Sequence, residues 1–192
     1  MAAATTLFQL KGDAQGLFDG SVNGISIGKT SNVKVLAKDA GIAFEAGSID
    51  VFRNADLDNL QSFTIEATIT PAAVTGARRN IVEGQSPSVA MFIDPAGKLV
   101  GSVHTAAGWI TVDSGAKLLS AQKAQRVTFT RNVDGNNQLQ IDGATVGSAV
   151  VPGPIQNIGA MGFRVGMGMD GVAFPFSGTI TDLSIRQGVV TQ

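Results

Sequence analysis

Three glutamates, one histidine and one tryptophan limit the chemistry open to this 192-residue chain. Glycoside hydrolysis needs two carboxylates across the scissile bond, about 5 to 10 Å apart. No Glu-x-Asp-x-Glu run supplies such a pair on one strand. Glu66 lies between Thr64 and Thr68 on the polar side of an alternating run, where a solvated strand residue is a better account than a catalytic acid. His104 closes the run ending Val103-His104, and without a second His or any Cys it has no company as a zinc ligand. No catalytic residue is assigned. Hard oxygen donors are better supplied: Asp94, Asp170 and the Asn132-Asp134-Asn136 cluster carry the oxygens that calcium takes. Gly135 falls where a calcium loop has no glycine, and turn chemistry accounts for each of these residues. The metal is left unassigned, with calcium the one cofactor these side chains suggest. Trp109, in AAGWITV, reads first as a core anchor and second as a platform for a sugar ring. The ligand-binding candidates are Trp109, Asp94 and Asp170.

The elements that must hold these residues read as strands. In Ser62–Thr70, Phe63, Ile65, Ala67 and Ile69 alternate with Thr64, Glu66, Thr68 and Thr70, the period of a strand with one buried face. Arg126–Gly143 repeats the pattern in two runs joined at Asp134-Gly135 and ending on Asp142-Gly143, dipeptides that supply the positive φ of tight hairpin turns. Further strands are expected around 7–10, 24–27, 33–36, 42–45, 49–52, 80–83, 88–93, 99–104, 109–112, 162–169 and 174–186. The last carries a bulge near Thr181-Asp182. Ala116–Lys123 reads as a short helical turn or an irregular loop. Gly162, Gly166 and Gly168 imitate a dinucleotide pattern but precede a strand-like run, so no phosphate site follows. Met161, Met167 and Met169 read first as core filling and second as a soft contact surface.

Composition agrees: 44% hydrophobic residues are ample for a core, and 24 Gly suit many short strands and turns. The net charge of −1 and the absence of a basic stripe give nucleic acid no footprint. No Cys means no disulfide or thiolate chemistry, and no apolar run is long enough to cross a bilayer as a helix. The architecture expected is an all-β, two-sheet antiparallel sandwich.

The order of segments resembles a laminin G-like, concanavalin A-like jelly-roll domain. The resemblance rests on GIAFEAGSIDVFRNADLDNLQSFTIEATITP, FIDPAGKLVGSVH, Trp109, RVTFTRNVDGNNQLQIDGATVG and FSGTITDLSI, and covers roughly Ile42 to Val190. In that family a Trp often begins the segment that is Gln125-Arg126-Val127 here, so the chain resembles a divergent member. Residues 1–40 are expected to supply edge strands or a docking arm, with the jelly roll over 41–192. The resemblance implies lectin-like, protein-binding, hydrolytic or structural roles, some with calcium at the sandwich rim. The function expected from the sequence is a non-catalytic structural component that self-associates or joins other proteins of a virion, phage tail or surface assembly. It would be made in the cytoplasm, no secretion leader being visible. The alternative is a lectin-like carbohydrate-binding module with a glycan partner, and a glycoside hydrolase comes third.

Overall fold

The computed structural model describes residues 4–12, 18–19, 27–36, 40–57, 60–156 and 162–190. Their fourteen strands are β1 Thr5–Gly12, β2 Phe18–Asp19, β3 Ile27–Val35, β4 Ile42–Val51, β5 Phe63–Pro71, β6 Arg79–Gly84, β7 Val89–Ile93, β8 Lys98–Thr105, β9 Gly108–Leu118, β10 Gln125–Arg131, β11 Asn136–Ile141, β12 Ala144–Val150, β13 Phe163–Val165 and β14 Ser177–Gln187. A 3-10 turn at Ala55–Leu57 is the one helical element among the described residues.

Every pairing is antiparallel. The order runs β12-β11-β10-β5-β14-β4-β13-β6-β7-β8-β9, with β1 on β14 and β3 on β4. This ladder folds back on itself as a jelly-roll sandwich. β9 comes to lie against β12, and Gly101 of β8 packs under Phe129 of β10, whose ring carbon would stand 2.6 Å from an added Cβ. Strand β4 carries the chain between layers, its first half pairing β14 and its second half β13. The sequence divides this stretch into two strands at Ala46-Gly47. The structure keeps one, because Ala46 takes φ 53° and Gly47 sits against the Ser31 and Asn32 carbonyls, where no side chain fits.

Between the layers lie Phe8, Phe44, Phe63, Phe129, Phe163 and Phe176, each 2% exposed or less. Phe63 meets Phe129 edge-on at 5.2 Å, and Phe44 meets Phe176 at 6.0 Å. Leu7, Phe8 and Leu10 of β1 belong to this core, so β1 packs on its own sandwich.

Several expectations change in detail. The expected 109–112 strand extends to Leu118, which removes the helical turn proposed from Ala116, and Leu119 to Lys123 form a turn. The 162–169 strand shortens to Phe163–Val165. The register of β14 against β5 shifts between Ile180 and Asp182, where the broken alternation places the bulge. The expected strand 24–27 falls almost wholly outside the described residues, as does Met161.

Candidate functional site

One face of each layer is turned away from the core, and pairing register decides what it displays. Across β6, β7, β8 and β9, Glu83, Ala90, Ser102 and Thr111 form one straight row. On one side runs Asn80, Phe92, Val100 and Asp113; on the other, His104 pairs with Trp109. The middle row is built of small side chains between bulky flanks, so it sinks into a recess of about 360 Å3. Trp109 walls one side. Arg78, just before β6, and Met169 and Phe174, from the segment joining β13 to β14, complete the lining.

The Arg78 wall is tightly organised. Its guanidinium carbon lies over both the Phe92 and Phe174 rings, 3.8 Å and 4.4 Å from their centres. Arg78 Nε donates to Asn80 Oδ1 at 2.8 Å, and Nη2 reaches Glu83 Oε1 at 3.3 Å. Glu83 also accepts from Asn80 Nδ2 and from the Met169 backbone N–H. Burial is the largest influence on both charges: it pushes the Glu83 carboxyl above its ordinary range and the Arg78 guanidinium below its own, in each case against the pull of the ion pair. A buried pair of this kind contributes little net stability and calls for another use.

Two further features set this face apart. Phe174 has φ 57°, a left-handed conformation that costs a bulky residue about 1 to 2 kcal/mol. Its carbonyl accepts from Asn80 N at 2.9 Å, and its ring stays 41% exposed at the recess. On the opposite side, the Trp109 and His104 rings meet edge-on at 5.3 Å, and His104 Nδ1 and Ser88 Oγ are buried without a hydrogen-bond partner. Trp109 is 39% exposed, which corrects the core-anchor reading: pairing with His104 turns it to the outer face.

The other candidates are dispersed. Asp170 lines a neighbouring polar recess with Asp50 and Arg164, and its Oδ1 accepts from the Val172 and Ala173 N–H groups, which lowers its pKa. Asp94 lines neither recess; its Oδ1 closes the β7–β8 turn by accepting from Ala96 N and Lys98 N, both at 2.9 Å. Asn132 Oδ1 is taken by Asp134 N, Asn136 N and Asn136 Nδ2. In each of these three loops a side-chain Oδ1 is engaged by turn N–H groups, and no three acidic or histidine side chains converge among the described residues. Glu66 stands on the other layer, bound to Arg126 at 2.6 Å and approached by Arg186 at 3.8 Å. Met169 reaches the recess, while Met167, 9% exposed, lines the neighbouring polar recess.

Reading by residue type alone missed Arg78, Asn80, Glu83 and Phe174. The Arg-x-Asn-x-x-Glu spacing is visible in the sequence, but the bulge between Asn80 and Val82 is what turns Asn80 and Glu83 to the same face.

Two antiparallel layers folded back on each other, with an aromatic-walled recess on one outer face, define a jelly-roll β-sandwich. The chain belongs to the concanavalin A-like lectin/glucanases superfamily, whose laminin G-type family model matches residues 45–192. No curated protein matches it. Among solved structures it is similar to the binding domain of Paraclostridial Mosquitocidal Protein 1, with a TM-score of 0.74 at 16% identity over 97% of this chain. The chain spans 50% of that structure's length. It is also similar to domain 4 of AbnA, an extracellular arabinanase from Geobacillus stearothermophilus, solved with arabinotriose, with a TM-score of 0.69 and 16% identity over 99% of this chain and 96% of that one. The CBM40 of Ruminococcus gnavus IT-sialidase, solved with α2,3-sialyllactose, gives a TM-score of 0.60 and 17% identity over 72% and 82%.

Proposed function

We propose that this chain is a carbohydrate-binding module whose glycan occupies the recess over Glu83, Ala90, Ser102 and Thr111. The observation that carries the reading is the pairing of two exposed aromatic rings, Trp109 and Phe174, with the Ser102 and Thr111 hydroxyls and the Arg78-Asn80-Glu83 cluster. Sugars present apolar ring faces edged by hydroxyls, and such a lining offers both a stacking surface and fixed hydrogen-bonding partners. The volume suits one or two sugar units, near the lower end of ligand sites. The ligands named for the arabinanase domain and CBM40 support this reading over the assembly role expected from the sequence.

Binding, not hydrolysis, fits the carboxylates. Both Glu83 oxygens are engaged by Arg78, Asn80 and Met169, and Asp170 holds a turn, so neither is free to act on a glycosidic oxygen. The test is calorimetric titration of the whole chain against a panel of oligosaccharides, with Trp109→Ala beside it. A bound glycan whose affinity falls about tenfold or more in the variant supports the assignment. Binding that survives Trp109→Ala places the site elsewhere.

A further inference from the structure

We propose, resting on the glycan reading above, that the recess selects uncharged saccharides and rejects those bearing a carboxylate. Recognition of a carboxylate by arginine uses two parallel N–H groups of the guanidinium fork. Among the described residues Arg78 is the only cation lining the recess, and its side-on edge, formed by Nε and Nη2, is already engaged by Asn80 Oδ1 and Glu83 Oε1. The Phe92 and Phe174 rings lie against the group, their centres 3.8 and 4.4 Å from its central carbon. What remains is the end of the group, Nη1 and the second Nη2 hydrogen, on a cation that Glu83 already neutralises.

The electrostatics point the same way. Glu83 cancels the Arg78 charge inside the recess, and Asp170 acts on Glu83 from the neighbouring loop as a like charge. A ligand carboxylate would therefore meet no uncompensated positive charge in the recess, and Glu83 would face it as a like charge. Sugar hydroxyls face no such barrier, since Thr111 carries a hydroxyl that donates and accepts, and Ser102, whose hydroxyl donates to the Ile110 carbonyl, keeps its acceptor capacity. The discriminating element is repulsive, which is how a shallow site separates ligands of similar shape.

The test titrates the whole chain with arabinotriose and lactose as neutral probes, and with α2,3-sialyllactose and trigalacturonate as acidic ones. The expected result is binding of a neutral probe about tenfold or more tighter than either acidic one. Its affinity should be unchanged between about 50 and 500 mM salt. Glu83→Gln, which removes a negative charge and loosens the hold on Arg78 Nη2, narrows the neutral-over-acidic ratio by about fivefold or more. Acidic probes that bind as tightly as neutral ones, with binding lost in Trp109→Ala, overturn the selectivity while leaving the glycan site in place. No binding by any probe of either kind overturns the glycan reading, and the selectivity with it. The probe comparison and salt series need only the wild-type chain, so they decide the question even if Glu83→Gln does not fold.

Discussion

Replacing Phe174 with glycine separates stability from binding. Phe174 holds φ 57°, a backbone region glycine enters freely, so the substitution releases about 1 to 2 kcal/mol of strain. Against this stand about 0.5 to 1 kcal/mol for the lost Arg78 contact and about 0.4 to 1 kcal/mol for the freer unfolded chain that glycine brings. The residue is 41% exposed, so deleting the ring also forfeits about 1 to 2 kcal/mol of apolar burial, while the hydrogen bond from Asn80 N to the residue 174 carbonyl survives because it is backbone to backbone. The sum is a loss of about 0 to 3 kcal/mol, whereas Phe176→Ala, two residues on and fully buried, costs about 3 to 5 kcal/mol. Glycan affinity should nonetheless fall by about tenfold, since one wall of the recess is gone. Urea unfolding and calorimetric titration of Phe174→Gly, Phe176→Ala and wild type measure both quantities. A loss of about 4 kcal/mol or more in Phe174→Gly would show that the ring is a structural anchor, refuting the strain-for-function argument. Unchanged affinity would remove Phe174 from the site.

Other outcomes follow from the same geometry. Gly101→Ala drives a methyl group into the Phe129 ring across the two layers and should cost about 1 to 3 kcal/mol in urea unfolding; a negligible cost would mean the layers do not meet there. Burial holds the Glu83 pKa above its ordinary 4.5, so the native state keeps a proton that the unfolded chain has lost, and stability falls as pH rises through the interval from 4.5 upward. Glu83→Gln should flatten that part of the stability profile, and an unaltered slope would contradict the assignment. Glu66→Gln, on the other layer, should leave glycan affinity unchanged and cost less than about 1 kcal/mol, because Arg126 is 44% exposed. A loss of binding in that variant would move the site to the β5 face.

The fold was legible because its signals are local. Alternation in Phe63–Thr70 and Val127–Ile141 set the buried faces, and the Asp134-Gly135 and Asp142-Gly143 dipeptides take the positive φ that hairpin turns require, at 82° for Gly135 and 52° and 81° for Asp142 and Gly143. The site was less legible because it is made by register. Ala90, Ser102 and Thr111 are unremarkable in the sequence and become a floor only when β7, β8 and β9 align them with Glu83. Trp109 drew attention as the lone tryptophan, yet its orientation depended on pairing with His104. Phe174 looked like the start of the final strand and instead lies before it, in a conformation that no propensity argument assigns to phenylalanine. Asp94 and Asp170 have the chemistry of ligand-binding groups, but in each the Oδ1 accepts from turn backbone, a role that residue type alone does not reveal.

The most direct measurement is a heteronuclear NMR titration of the whole chain with a neutral oligosaccharide, following the Trp109 indole N–H and the amides of Thr111, Ser102, Met169 and Phe174. Shifts concentrated on these groups, spread across β8, β9 and the loop before β14, are the predicted result. Shifts confined to the Asn132–Asn136 turn or to the β5 face around Glu66, with the Trp109 indole unmoved, would contradict a glycan site in this recess.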